Sequence, residues 1–174
     1  IRAESINLLH EPGKIGLTYD CRGLVNMKVE LNLPGKFSVY NSLCAIAVTR
    51  HFNVSEEALK ETLKHVKVKG RIELVKVSDD FTLMIDYAHN AMSLESILTT
   101  LKEYNPHRLV CLFGCGGNRA KSRRYDMGEV SGKYADLSII TEDNSRYEDV
   151  NDIMNDIEVG IKKTIQWYLD NQEW

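Results

Sequence analysis

Short apolar segments alternate with amphipathic segments through the second half of the 174-residue chain. Three segments have the composition of buried strands, and each is followed by a segment with the apolar spacing of a helix. In chain order they are FTLMIDY, SLESILTTLKEYN, RLVCLFG, DMGEVSGKY, LSIITED and NDIMNDIEVGIKKTIQWYL. Strands that alternate with helices are typical of βαβ units. The pattern therefore predicts an α/β, Rossmann-like fold with a mostly parallel sheet.

The first part of the chain has a different pattern. KIGLTYD and NMKVELNL alternate apolar and polar residues, as half-buried strands do, and two helical segments follow them. The second of these, SEEALKETLKHV, has a serine cap and two acids in its first turn. We expect an α+β region over residues 1–73 and the Rossmann-like domain over residues 74–174, with the boundary near Glu73.

Composition and charge exclude several classes of protein. A net charge of −3 gives no general attraction to nucleic acid. No apolar run approaches the roughly 18 residues of a membrane helix, and no signal peptide is apparent. The four cysteines form no C-x-x-C pair, which suits reduced thiols. We expect a soluble, cytoplasmic protein, and the absence of an initial methionine suggests a piece of a longer chain.

Polar loops follow all three predicted strands of the second half. They are DYAHN, GCGGNR and EDNSR. Because ligands of open α/β sheets bind beyond the carboxyl ends of the strands, these loops are expected to face one crevice. Their polar residues are candidates for a single site: Asp86, His89, Asn118, Arg119, Asp143, Asn144 and Arg146. Two arginines that converge there would suit a carboxylate or a phosphate.

The glycine-rich segment does not fit the usual nucleotide-binding motifs. The third glycine of G-x-G-x-x-G is missing, and no G-x-x-x-x-G-K-[ST] sequence occurs. The basic residues that follow could form a solvated loop: Arg119, Lys121, Arg123 and Arg124. Their position directly after a glycine turn, with Arg146 at the end of the next strand, makes that alternative less favoured. Cys111 is expected inside a strand and Cys115 in a loop, which argues against a shared metal site. Cys115 as a nucleophile is possible but lacks a supporting partner.

Six motifs together resemble the Mur ligases: LPGKFSVYNSLCAIA, GRIELV, DYAHNAMSL, FGCGGNRAKSRR, MGEVSGKYAD and TEDNSRYED. The resemblance is strongest to the branch that adds the third amino acid of the peptidoglycan stem peptide. It implies a three-domain, ATP-dependent amide ligase, of which this chain is the tail of the central domain and most of the last. The P-loop and the Mg²⁺ ligands belong to the missing part, so the piece is expected to be inactive alone.

The resemblance also implies a reaction. ATP activates the γ-carboxylate of UDP-MurNAc-L-Ala-D-Glu as an acyl phosphate, and the amine of meso-diaminopimelate attacks it. Such chemistry needs positioning and charge neutralisation more than a protein nucleophile. The implied partners are these small molecules and the rest of the polypeptide, with neither nucleic acid nor membrane.

Matching positions carry implied roles. ATP-binding residues would be Asn41, Arg71, Asp86 and Tyr87; residues for the amino acid would be Arg119, Asp143, Asn144, Ser145 and Arg146. Lys121, on the phosphoryl side, and His89 are the catalytic candidates, and no residue is assigned to a metal. Ser145 replaces the proline of the usual DNPR motif, but Arg146 is kept, which favours diaminopimelate over lysine.

Other interpretations remain open on the sequence alone. A lysine-adding member, or another amide ligase of the superfamily such as a polyglutamate or cyanophycin synthetase, would share most of these motifs. A non-catalytic, Rossmann-like binding module that docks on a partner chain is an alternative of another class.

Overall fold

The structure is a computed structural model that describes residues 1–11 and 14–171. The chain divides into two compact units, Ile1–Tyr87 and Ala88–Trp174. The boundary predicted near Glu73 separates the two domains that the family resemblance implies, and the division into compact units does not test it. That boundary therefore stays a prediction.

A three-stranded antiparallel sheet opens the first unit. Its strands are β1 (Arg2–Glu11), β2 (Lys14–Arg22) and β3 (Met27–Leu31), in that order across the sheet. The two strands predicted from alternation are β2 and β3, and both are confirmed. β1 was not predicted, because its pairing register shifts between Glu4 and Asn7 and its apolar side chains Ile6 and Leu8 are exposed. Its sequence therefore lacks a clean period of two.

Two helices complete the core of the first unit. α1 (Lys36–Thr49) continues into a short 3₁₀ turn (Arg50–Phe52), and α2 (Glu56–His65) follows. α2 begins as predicted, since the hydroxyl of Ser55 accepts a hydrogen bond from the amide of Ala58. One face of the sheet and both helices bury a shared apolar cluster: Leu17, Tyr19, Cys21, Val25, Met27, Val29, Leu31, Val39, Leu43, Ile46, Leu59 and Leu63.

The first predicted strand of the second half behaves differently from expectation. β5 (Leu83–Ile85) pairs antiparallel with β4 (Glu73–Val75), and both belong to the first unit. Leu83 and Ile85 are 40% and 48% exposed, so the prediction of a buried strand here was wrong. A short apolar run does not specify which strand it pairs with or how deeply it is buried.

The second unit alternates helices and strands as the sequence predicts. Its elements are α3 (Ala91–Lys102), β6 (Val110–Phe113), α4 (Ser122–Tyr134), β7 (Leu137–Ile140) and α5 (Val150–Asp170). β6 and β7 pair in parallel, with Val110 opposite Leu137 and Phe113 opposite Ile140. The α/β character and the parallel pairing are confirmed. No helix within the described ranges is long and apolar enough to cross a membrane.

The backbones of α4 and α5 approach each other closely at two glycines. A Cβ on Gly128 would overlap with the carbonyl oxygen of Ile157, and one on Gly160 would overlap with that of Tyr125. Both overlaps are with backbone atoms, which cannot rotate away. These two glycines therefore set the separation of the helices. This packing fixes α5 against α4, and α4 begins directly after the glycine-rich segment.

Candidate functional site

Two loops leave the carboxyl ends of β6 and β7 and contact each other. The glycine loop is defined as residues 114–121 and the acidic loop as residues 141–149. The amide of Thr141 donates to the carbonyl of Phe113 at 3.0 Å, and the amide of Gly117 donates to that of Asn144 at 2.8 Å. Because parallel strands end at the same edge of a sheet, this adjacency was expected for these two loops, and it is confirmed.

Two of the three glycines of GCGGNR, Gly114 and Gly117, serve this loop contact. A Cβ on Gly114 would overlap with the carbonyl oxygen of Thr141, and one on Gly117 would overlap with that of Ser145. Neither glycine has a positive φ. Glycine is therefore required at both positions because a side chain would not fit, and not because the backbone adopts a conformation that favours glycine. Close approach of one loop to the other explains the glycines without a bound phosphate.

Each loop contains one residue in the left-handed region of backbone space. Asn118 has a φ of 52° and Arg146 a φ of 54°, values that residues other than glycine rarely adopt. The side-chain oxygen of Asn118 accepts a hydrogen bond from the amide of Tyr147 at 3.3 Å. The amide of Glu148 donates to the carbonyl of Ser145 at 3.1 Å and closes a turn around Arg146. Cross-loop and turn contacts thus hold both conformations.

A buried arginine fastens these loops to the helices. Arg124, in the first turns of α4, is 1% exposed. Its guanidinium donates to both oxygens of Glu148 at 2.8 and 2.7 Å and to Asp156 on α5 at 2.9 Å. Glu148 also accepts the backbone N–H of Asn118. One carboxylate therefore connects α4, the acidic loop and the glycine loop.

The charges of this network stabilise one another. The guanidinium of Arg124, and then the amide of Asn118, lower the pKa of Glu148. Burial tends to raise the pKa of Asp156, but hydrogen bonds from Arg124 and the hydroxyl of Tyr125 lower it overall. The Tyr125 hydroxyl lies 2.9 Å from Asp156. The Arg124 Nε atom is buried without a hydrogen-bond partner in the described structure.

The alternative of a solvated charge run, which the glycine turn and Arg146 already made less favoured, is wrong for Arg124. Its partners are 24 and 32 positions away along the chain. Charge patterning within a segment carries no information about such distant carboxylates. One signal for the burial of Arg124 can be recognised once the structure is known. Arg124 lies three residues before Met127 and four before Gly128, on the buried face of α4.

The residues expected to bind the amino acid are mostly exposed on these two loops. Arg119 lies on the glycine loop; Asp143, Asn144 and Arg146 lie on the acidic loop. Ser145 is half-buried and donates a hydrogen bond to Glu142 at 2.8 Å. Lys121 is exposed, with its Nζ atom 3.9 Å from an oxygen of Asp156. The structure thus brings the two predicted arginine-bearing loops together.

Three of the predicted nucleotide-binding residues lie close together in the first unit. The amide of Ile72 donates to Asp86 at 3.0 Å. The guanidinium of Arg71 stacks over the ring of Tyr87, 4.5 Å from its centroid. Asn41, the fourth, is exposed on α1. His89 is exposed directly before Asn90, which caps α3 by accepting a hydrogen bond from the Ser93 amide.

The structure bears on the reactivity of Cys115 and on metal binding. Burial raises the pKa of the Cys115 thiol to about 11, and its sulfur contacts that of Met127 at 3.7 Å, so it is not an activated nucleophile. Over residues 1–11 and 14–171, no group of three or more His, Cys, Asp or Glu side chains is arranged to hold a metal ion.

Comparisons with known proteins identify the family. The family described as "Mur ligase, glutamate ligase domain" matches residues 70–174. A UDP-N-acetylmuramoyl-L-alanyl-D-glutamate--2,6-diaminopimelate ligase of Caldanaerobacter subterraneus subsp. tengcongensis is 48% identical over 137 residues, covering 79% of this chain and 28% of that protein. Ligase 1 of the same name from Clostridium acetobutylicum is 36% identical over 176 residues, covering 99% and 36%.

Solved structures show the same likeness. A structure of a UDP-N-acetylmuramoyl-L-alanyl-D-glutamate--2,6-diaminopimelate ligase superposes with a TM-score of 0.58 at 28% identity, covering 90% of this chain and 32% of that one. The folylpolyglutamate synthase of Thermotoga maritima superposes with a TM-score of 0.71 at 23% identity, covering 95% and 37%, and shows the fold alone. The chain thus spans about a third of the length of these relatives. By its sequence match over residues 70–174, the chain belongs to the Mur ligase family.

Proposed function

We propose that this chain is part of an ATP-dependent ligase that adds meso-diaminopimelate to UDP-MurNAc-L-Ala-D-Glu. The observation that carries the proposal is the contact between the glycine loop and the acidic loop, which puts Arg119 and Arg146 at one edge of the parallel sheet. Relatives named as diaminopimelate ligases, at 36% and 48% identity, support the same assignment. All of these substrates are water-soluble, in keeping with action in the cytoplasm.

The two arginines match the two ends of the amino acid. Diaminopimelate carries a carboxylate and an ammonium at each of its two centres. A guanidinium binds a carboxylate with two parallel hydrogen bonds, so Arg119 and Arg146 can each hold one. Asp143 offers a carboxylate for an ammonium group, and Asn144 and Ser145 add polar atoms nearby.

The chemistry requires orientation of the attacking amine. In the proposed reaction the amine attacks an acyl phosphate, the carbonyl carbon becomes tetrahedral, and inorganic phosphate leaves. No protein nucleophile is needed, and the inert Cys115 is consistent with that. Lys121 would face the phosphoryl side, and His89 would stand near the reacting groups. Asn41, Arg71, Asp86 and Tyr87 would contact ATP. Mg²⁺ is assigned no ligand among the described residues.

An arginine substitution in the full-length ligase tests the site. Arg119→Ala should raise the KM for diaminopimelate far more than that for ATP, because it removes a contact to the amino acid alone. Arg108→Ala is the matched control, since Arg108 is an exposed arginine just before β6, at the opposite end of that strand. Equal effects of Arg119→Ala on both KM values would contradict the assignment.

A second substitution tests the choice of amino acid. Lysine lacks the distal carboxylate, so Arg146→Ala should lower kcat/KM for diaminopimelate and leave the low activity with lysine unchanged. A wild-type enzyme that prefers lysine would overturn the diaminopimelate assignment. The chain by itself is expected to show no ATP-dependent ligation, and ligation by it alone would refute that expectation.

A further inference from the structure

The carboxylate of Glu148 is the point at which three elements meet. It accepts two hydrogen bonds from Arg124 on α4 and one from the backbone of Asn118. Asn118 directly precedes Arg119, and Glu148 follows Arg146 by two residues. Any displacement of Glu148 would therefore move the backbone on both sides of the amino-acid site.

The loop conformations depend on such external contacts. The left-handed backbones of Asn118 and Arg146 each cost roughly 1 kcal/mol or more when nothing offsets them. Asn118 is held at its amide by Glu148 and at its side chain by the Tyr147 amide. These two hydrogen bonds join Asn118 to the two residues that directly follow Arg146. Loss of Glu148 would remove the hydrogen bond to the Asn118 amide. The bonds that remain between the two loops in the described residues would be the one from Tyr147 to the Asn118 side chain and the Gly117–Asn144 backbone bond.

The anchoring side of this network is rigid. Arg124 is 1% exposed, and Asp156 on α5 holds its second nitrogen at 2.9 Å. Tyr125 donates to the other oxygen of Asp156 at 2.9 Å. The guanidinium therefore has one orientation, which the packed helices α4 and α5 define. A fixed guanidinium gives Glu148 a fixed position in turn.

We propose that Arg124 and Glu148 are positioning residues, which place Arg119 and Arg146 for the amino-acid substrate without touching it. This inference rests on the proposed function, since it assigns a substrate to those two arginines. Arg124 acts through Glu148, and Glu148 acts through the Asn118 amide and the turn at Arg146. Neither residue has a role in ATP binding.

The first test measures loop coupling in the chain itself, with no assumption about activity. Amide hydrogen exchange should show protection at Asn118 and Tyr147. Glu148→Gln keeps the size of the side chain but removes the charge that holds Arg124, and both amides should lose protection together. Glu158→Gln is the matched control: Glu158 is an exposed residue of α5 paired with Lys162 at 2.9 Å. Its substitution should leave both amides unchanged.

The second test uses kinetics of the full-length ligase. Glu148→Gln and Arg124→Lys should each lower kcat/KM for diaminopimelate by about 100-fold, mainly through KM, because binding arginines displaced by about 1 Å lose most of their effect. The KM for ATP should change by less than about twofold. The double variant should be no worse than the single ones, since both residues act through one network. Glu158→Gln should match the wild type.

The outcomes separate this inference from the proposed function. Retained protection at Asn118 and Tyr147 in Glu148→Gln overturns the coupling. Lost protection with an unchanged KM for diaminopimelate overturns the positioning role, as does an equal rise in both KM values. If the wild-type full-length protein ligates no amino acid, the proposed function is refuted, and the positioning role is refuted with it. The hydrogen-exchange experiment would still decide whether Glu148 couples the two loops.

Discussion

The two compact units bury polar side chains in different ways. In the first unit, the hydroxyl of Tyr19 lies 2.6 Å from that of Ser42, which donates to the carbonyl of Val39. These groups are neutral. In the second unit, Arg124 is buried with a positive charge between two carboxylates. A neutral pair costs little to disrupt, whereas a buried charge depends on every partner being present.

This difference indicates which unit carries constraints beyond stability. An apolar core with a few neutral, hydrogen-bonded hydroxyls satisfies the needs of folding. A buried arginine that connects two helices to two loops adds little net stability relative to apolar packing, but it fixes geometry. The unit with the buried charge is also the one that carries the arginine-bearing loops.

Removal of the buried charge should give the largest loss of stability. Arg124→Met keeps most of the volume but leaves Glu148 and Asp156 without their partner, and we expect a cost of roughly 3–5 kcal/mol. The measurement is denaturant unfolding followed by tryptophan fluorescence, because Trp167 lies on α5 in the second unit and the first unit contains no tryptophan. A loss below about 1 kcal/mol would remove the contrast between the units.

Close helix packing should give the next largest effect. In Gly128→Ala the new methyl group would overlap with the carbonyl of Ile157, and the forced separation of α4 and α5 should cost about 1–3 kcal/mol. Gly132→Ala, one turn later on α4, is the control, because its Cβ would lie 3.4 Å from the nearest atoms. That variant should be neutral or slightly more stable, since alanine favours a helix. Equal destabilisation by both would contradict this account.

The neutral pair of the first unit should be less sensitive. Tyr19→Phe removes one hydrogen bond, and we expect a loss of about 1 kcal/mol. Ser42 still donates to Val39, so no buried donor is left unpaired. Faster hydrogen exchange of the β2 and β3 amides would report this loss of stability, while the unfolding transition seen by tryptophan fluorescence should not change. A loss as large as that of Arg124→Met would mean that charge is not the source of the difference.

As the pH falls, the second unit should lose stability before the first. Its stability should change least near neutral pH. The pKa values of Glu148 and Asp156 are lowered in the fold, so their contribution is fully present above the unfolded values, about 4. It is lost as the pH falls through the folded values, because the unfolded chain binds more protons there. Glu30 in the first unit also has a lowered pKa, but its pair with Lys14 is a third exposed and contributes less. Glu148→Gln should flatten the acid limb of the fluorescence transition.

The sequence predicted most helices and strands of the second unit but not the buried Arg124 at its centre. The alternation of apolar segments with amphipathic ones identified α3, β6, α4, β7 and α5. The same reasoning misassigned β5, since three apolar residues fit a buried parallel strand and an exposed hairpin equally well. Arg124 was grouped with its exposed neighbours because burial of an arginine depends on carboxylates supplied by another helix and another loop.

For the candidate site, the loops were predictable and their support was not. The rule that ligands bind beyond parallel strands located the glycine loop and the acidic loop. Spacing alone could not show that Gly114 and Gly117 are required by the opposite backbone. That requirement arises only when two segments about 30 positions apart come into contact. The roles of the individual loop residues remain predictions.

Glu148 also limits how this specificity could be transplanted between enzymes. A graft of the glycine loop alone would carry Arg119 but lose the carboxylate that holds its backbone. A graft of both loops would still leave Glu148 without the guanidinium supplied by α4. The smallest transferable module therefore runs from Gly114 through Asp156, a continuous stretch that includes α4, β7 and the start of α5. Exchanges of amino-acid preference within the family should succeed as blocks of this extent and fail as single-loop swaps.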